Sequence, residues 1–328
     1  MKSILNRLIE HEILNKKESK EILYNIADGK YNASQVSAFL TVYMMRSISV
    51  KELEGFRDAL LELCLRINLE EFNPIDLCGT GGDNKDTFNI STLASFVTAG
   101  AGISVAKHGN YGVSSNCGSS NVMEYLGVKF SNNESFLKRC IDEAGICILH
   151  APLFHPAMKN VAPARKMLGK RTAFNLLGPL CNPAKVSHQM IGVFADEYIE
   201  RIVKIMQKNF SETILAVRSF DGMDELSTTS KNRACLLKDN QITEFIINPD
   251  DYKMQKGKLS DIQISTKKEA VNSFIGVLKN TANRTMKEIN RMNGALRGAN
   301  KPLFMEMVQK VAKPPYTVKK VHVNNSYN

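Results

Sequence analysis

The sequence has no apolar run approaching the roughly 18 residues that a membrane-spanning helix needs. Met1 to Glu12 carries Lys2, Arg7, Glu10 and Glu12 where an export signal would be apolar. Its seven cysteines are scattered, odd in number and without a C-x-x-C pair, which argues against a disulfide framework and a thiolate metal site and fits a reducing cytoplasm. Neither a Walker loop nor a dinucleotide G-x-G-x-x-G fingerprint is present, so nucleoside triphosphates and NAD are weak ligand candidates. Internal repeats and low-complexity tracts are absent too, which removes solenoids and disordered chains from consideration. What remains is a chain of 328 residues, 43% hydrophobic and 23% charged, with the composition of a globular protein and length enough for two structural units.

Net charge is missing from most of the chain. The formal net charge is +10, yet residues 251–328 hold 15 Lys or Arg against 5 Asp or Glu and so carry the whole excess. A basic run is usually a solvated face.

Residues 3–67 read as helices alone. Asn32 with Gln35 and Ser49 with Glu52 have capping-box spacing. Val36, Phe39, Leu40, Tyr43 and Met44 share one helical face, and Leu53, Phe56, Leu60, Leu61 and Leu63 a second. Pro74 marks a change of pattern. Strands are predicted at Ile75–Cys78, Ile103–Ala106, Ile146–Leu149, Met190–Phe194, Thr213–Val217 and Ile242–Ile247, and helices at Thr92–Ala101, Ser120–Leu126 and Ser135–Ala144. This alternation predicts a mainly parallel sheet flanked by helices, with ligands at the carboxyl ends of its strands. The fold class is therefore α/β, a small all-helical unit over residues 1–70 preceding a larger α/β unit over 71–156 and 179–328. Residues 157–178 pack on the helical unit or form a hinge to it.

The stretch from Asp76 to Gly127 has the chemistry of a phosphate cradle. Gly79-Thr80-Gly81-Gly82-Asp83 follows one predicted strand, and Lys107-His108-Gly109-Asn110 with Ser114, Ser115 and Ser119 follows another. Glycine-rich turns bring backbone N–H groups close to an anion, and the helix opening at Asn89-Ile90-Ser91-Thr92 adds the positive end of its dipole. The stretch is itself acidic, with Lys85 and Lys107 against Asp76, Asp83, Asp86 and Glu124, so oriented dipoles outweigh bulk charge in this reading.

These segments, together with His155-Pro156-Ala157-Met158-Lys159, Arg171 to Leu180 and Asp221-Gly222-Met223-Asp224-Glu225, resemble in order and spacing the motifs of the anthranilate phosphoribosyltransferases, within the nucleoside-phosphorylase-like glycosyltransferases. The resemblance runs from about residue 20 to about 230 and thins beyond Ser265. It implies transfer of the phosphoribosyl group of phosphoribosyl pyrophosphate to anthranilate, in tryptophan biosynthesis. It further implies that the phosphorylated sugar lies on Gly79, Gly82, Asp83, Thr87, Asn89, Ile90, Ser91, Thr92, Lys107, His108, Gly109, Asn110, Ser114, Ser115 and Ser119. Anthranilate would lie by Gly79, Asn110 and Arg165. Mg2+ would sit on Asp224 and Glu225, with Ser91 a further ligand, and two chains would pair as a homodimer through the helical unit. Lys107 and Arg165 would act as electrostatic and orienting groups, with no covalent nucleophile. Two positions depart from the family's habit, Tyr111 in place of arginine and Asn121 in place of aspartate. Competing readings are a family-derived nucleic-acid-binding protein, suggested by the basic C-terminal quarter, transfer to a different aromatic amine, and nucleoside phosphorolysis, which leaves Arg165 and the paired carboxylates without a role.

Overall fold

A computed structural model describes residues 1–112, 117–209 and 211–296. Ser114, Ser115 and the basic stretch from 297 lie outside the described residues. Four helices open the chain, α1 (Lys2–Ile9), α2 (Lys16–Ala27), α3 (Ala33–Met45) and α4 (Val50–Leu63). The capping boxes at Asn32 and Ser49 form as spaced, and a third closes between Asn15 and Glu18 at the start of α2. In α3 the predicted face is buried through Tyr43, whereas Met44, at the far end of the stripe, is 39% exposed. Glu52 closes its capping box and is also fully buried. It accepts hydrogen bonds from Tyr43 Oη (2.9 Å) and Leu14 N (3.2 Å) and pairs with Arg46, so the buried charge is compensated by donors on three segments.

After residue 74 come β1 (Ile75–Leu77), α5 (Ile90–Gly100), β2 (Val105–Gly109), α6 (Ser119–Tyr125), α7 (Glu134–Ala144), β3 (Ile146–His150), α8 (Ala151–Phe154), α9 (Ala162–Leu168), α10 (Leu177–Leu180), β4 (His188–Gly192), α11 (Ile199–Gln207), β5 (Thr213–Ser219), β6 (Asn232–Lys238), β7 (Gln241–Ile247), α12 (Lys267–Leu278) and α13 (Arg284–Leu296). The sheet order is β3-β2-β1-β4-β5-β6-β7, parallel from β3 to β5 and antiparallel from there to β7. All six predicted strands are present within a few residues. The unpredicted β6 makes a hairpin with β7 through Asp239-Asn240, both at positive φ (50° and 59°), the backbone that a tight type I′ turn demands.

The bundle does not stand apart from the sheet. One apolar cluster joins Leu23, Phe39 and Phe56 of the bundle to Val161, Phe174 and Leu177, and then to Ile191 and Val193 and to Ile202 of α11. The opposite face of the sheet is covered by α5 and α13, and α12 packs against those helices and α6. No helix among the described residues is long and apolar enough to cross a membrane.

Candidate active site

Chain order places β2 and β3 on one side of β1 and β4 and β5 on the other. The connections leaving β1 and β4 therefore diverge, and open α/β sheets bind ligands at such a switch point. Here the glycine turn after β1 is stitched to β4, Thr80 N donating to Gly192 O (2.8 Å) and Phe194 N to Thr80 Oγ1 (3.1 Å). Gly81 and Gly82 have φ of +64° and +83°, a backbone that side chains with a Cβ avoid. A Cβ on Gly192 would lie 1.6 Å from Asp224 O, so glycine at 192 lets the loop after β5 pack directly on β4.

Between this turn and the α9 to α10 segment opens a cleft of about 270 Å³. Its walls include Gly79, Gly82, Asp83, Thr87, Asn89, Ile90, Ser91, Thr92, Lys107, His108, Gly109, Asn110, Ser119, Arg165, Asp224 and Glu225. Every proposed site residue that is described is thus gathered in one place. Thr80, Phe174, Asn175 and Gly178 also line it without having been assigned a role from sequence. Asn175 lies inside the quoted segment Arg171 to Leu180, but its type gives no hint of its many partners.

Asn89 stands at the N-cap of α5 and makes no capping bond. Its Nδ2 donates instead to Cys117 O (2.9 Å), which leaves the start of α5 open to the cleft. Lys107 is a floor residue: only 2% exposed, it donates from Nζ to Leu77 O (2.6 Å) at the end of β1. Its charge also opposes the burial that pushes the Asp76 carboxyl above its ordinary range. Asp76 in turn accepts from His108 N (3.0 Å) and Gln189 Nε2 (3.2 Å). The residues that depart from family habit build the base of the second loop without an ion pair. Asn121 Oδ1 accepts from both Gly112 N (3.1 Å) and Gly118 N (2.9 Å), while Tyr111 Oη donates to Glu124 and its ring meets His150 edge-on at 4.9 Å.

Two clusters of opposite charge face the cleft. Asp83, Asp224 and Glu225 crowd together, Asp224 accepting from Gly81 N (2.6 Å) and its own N–H reaching Asp83 Oδ2 (3.4 Å). Burial first, then the charges of Asp83 and Glu225, raise the Asp224 carboxyl well above its usual range, and burial raises Asp83 as well. Hard oxygen donors that resist ionisation side by side suit a small divalent cation, which would relieve their repulsion. Across the cleft Arg165 has no carboxylate partner among the described residues. Nη2 donates to Asn175 Oδ1 (3.3 Å), Nε is buried without a partner, and burial lowers the guanidinium pKa to about 10. A desolvated guanidinium of this kind is an anion site.

His108 and His155 are neutral elements. His108 Nδ1 donates to Gly178 O (2.9 Å), leaving Nε2 as a buried acceptor, and burial depresses the pKa of His108 to about 4 and of His155 to about 3. Their unfolded forms titrate near 6.5, so the unfolded chain binds more protons as pH falls from about 6.5 toward 4 and the stability these groups support is lost over that window. His155→Gln lacks this linkage. The melting-temperature gap between wild type and this variant is expected to narrow between pH 7 and pH 4.5, and a constant gap would show that His155 is not held neutral.

The helical bundle and the α/β sheet, with buried carboxylates and an open helix start on one wall of the cleft and a buried guanidinium on the other, are the two domains of a glycosyl transferase family. The family described as glycosyl transferase family, helical bundle domain, matches residues 2–64, and the glycosyl transferase family, a/b domain, matches residues 71–303. The anthranilate phosphoribosyltransferase of Flavobacterium johnsoniae is 53% identical over 297 residues, covering 90% of this chain and 88% of that protein, and the Flavobacterium psychrophilum enzyme of the same name is 56% identical over 279 residues, covering 85% and 83%. The solved anthranilate phosphoribosyltransferase of Thermus thermophilus superposes with a TM-score of 0.81 at 27% identity, over 94% of this chain and 93% of that one. That of Saccharomyces cerevisiae in complex with PRPP and Mg gives 0.80 at 25% identity, over 94% and 91%. The chain belongs to the anthranilate phosphoribosyltransferase family.

Proposed function

We propose that the protein transfers the phosphoribosyl group of phosphoribosyl pyrophosphate to the amine of anthranilate, releasing pyrophosphate, as a step of tryptophan biosynthesis. The observation that carries this reading is the two-sided cleft, in which the glycine turn, the α5 start and the carboxylate cluster oppose an Arg165 that has no carboxylate partner among the described residues. The phosphorylated sugar rests on Gly79, Gly82, Asp83, Thr87, the Asn89 to Thr92 helix start, Gly109, Asn110 and Ser119. Asp224 and Glu225, with Ser91, would hold Mg2+, which when bound would supply positive charge to the diphosphate.

The acceptor carboxylate pairs with Arg165, and Asn110 and Gly79 border the same space. An aryl amine is neutral near pH 7, so its lone pair attacks C1 of the ribose without a strong base. The C1–O bond breaks and its electron pair leaves with pyrophosphate. Lys107 stabilises that anion from the cleft floor, backbone N–H groups of the glycine turn and α5 meet its oxygens, and the proton shed by the amine passes to pyrophosphate or water. Positioning and electrostatics supply the rate, with no covalent intermediate.

Loss of anthranilate fluorescence in the presence of phosphoribosyl pyrophosphate and magnesium tests the assignment; no loss with both present sinks it. Two further parts of the reading are cytoplasmic residence and a homodimer paired through the bundle, where Ile9, Ile13 and Met45 are largely exposed. A monomeric mass by light scattering at micromolar concentration would overturn the dimer.

A further inference from the structure

The two walls of the cleft meet at a single peptide group. The Thr80–Gly81 peptide offers its N–H to Asp224 Oδ2 (2.6 Å), and its carbonyl accepts from Asn175 Nδ2 (3.5 Å). Asn175 in turn uses Oδ1 twice, accepting from Thr172 N (3.0 Å) and from Arg165 Nη2 (3.3 Å). Thr80 is pinned to β4 at both its N–H and its hydroxyl, and Gly81 has no side chain to resist rotation of the peptide between them.

We infer that Asn175 is a positioning residue that, through the Thr80–Gly81 peptide, couples occupancy of the Arg165 side of the cleft by a carboxylate to occupancy of the Asp224 side by a cation and its anion. This rests on the assignment of the two sides given under the proposed function. A cation on Asp224 changes how strongly Oδ2 accepts from Gly81 N–H. The peptide is a conjugated unit, so its carbonyl changes as an acceptor for Asn175 at the same time, and hydrogen bonds in series polarise one another. The 3.5 Å link is the longest of the relay, and a small peptide rotation makes or breaks it. At the far end Asn175 Oδ1 is the oxygen that sets the tilt of the Arg165 guanidinium. Coupling of this kind is reciprocal, so an acceptor carboxylate on Arg165 strengthens cation and anion binding by the same factor by which they strengthen its own.

The test is binding, read by anthranilate fluorescence on the full chain, alone and with saturating magnesium pyrophosphate, which cannot react. In the unmodified protein the two dissociation constants are expected to differ by about tenfold. Asn175→Ala brings their ratio close to one. Asn175→Asp keeps acceptors for Thr172 N and Arg165 but removes the donor to Thr80 O. It abolishes the ratio as well, and because it preserves the Thr172 cap it serves as the control for folding. A residue that merely shaped the wall would weaken anthranilate in both conditions and leave the ratio intact, so a preserved ratio in both variants overturns the relay. An unmodified chain that binds anthranilate equally with and without magnesium pyrophosphate overturns it too. An unmodified chain that binds no anthranilate in either condition removes the assignment of the Arg165 side and the relay with it.

Discussion

Arg165→Ala is expected to raise the KM for anthranilate about ten- to a hundredfold while changing the KM for phosphoribosyl pyrophosphate, extrapolated to zero anthranilate, by less than about threefold. The magnitude follows from losing charge-assisted hydrogen bonds, each worth about 1.5–3 kcal/mol when both partners are desolvated. The selectivity follows from geometry: Arg165 sits on the α9 wall, bonded to Asn175, while the anion cradle is made by the glycine turn and α5. Lysine at this position restores charge without the planar fork, and Arg165→Lys is expected to recover only part of the loss. Because the guanidinium has no carboxylate partner among the described residues, its removal leaves no buried acid there unpaired, and the melting temperature should move little. Equal increases in both KM values would sink the acceptor role.

Asp224→Asn combined with Glu225→Gln is expected to move activity and stability in opposite directions. Activity should fall by about a hundredfold or more and lose its dependence on magnesium, since the pair supplies the charge that draws a cation to the diphosphate. Stability in the absence of metal should rise. The Asp224 carboxyl is raised by burial and by Asp83 and Glu225, so its folded pKa exceeds its unfolded one. A group shifted in that sense stabilises the fold at low pH and loses that contribution as pH rises through the folded value. At pH 7 the folded chain carries the strain that the unfolded chain, already ionised, does not. Asparagine retains an oxygen for Gly81 N–H and removes the charge. A melting temperature that rises for the double variant without metal and fails to rise with added magnesium, while wild type gains, checks both halves; an unchanged magnesium optimum refutes the metal site.

Much of this site was legible in the sequence because phosphate chemistry is local. A glycine turn, a helix start and a lysine announce themselves within a few residues of strand ends, and strand alternation places those ends side by side. Lys107 shows where such reading stops: the sequence puts a lysine at a strand end, but its engagement with Leu77 O depends on β1 and β2 being neighbours. Asn175 was invisible for a stronger reason. Its side chain has three partners, on Thr80, Arg165 and Thr172, and an amide has no distinctive spacing with respect to the first two. The fold followed the same division. The β1 to β3 region was read nearly whole, whereas β6 was missed because Asn232 to Lys238 mixes polar and apolar residues, and its best signal was the Asp239-Asn240 turn. In α11 the apolar positions Ile199, Ile202, Val203 and Met206 lie on a single face, a periodic signal as clear as that of α3.

The near contact of Gly192 with the backbone of Asp224 bears on how such a protein can change over evolutionary time. That approach is made by main chain against main chain, so the spacing between the carboxylates and the glycine turn cannot be tuned by exchanging side chains. The opposite wall is made of side chains, Arg165, Phe174 and Asn175, carried on short helical turns. Inheritance is therefore uneven across the cleft. The carboxylate half is frozen by backbone geometry, and change in what the other half accommodates has to enter through the segment between residues 155 and 178.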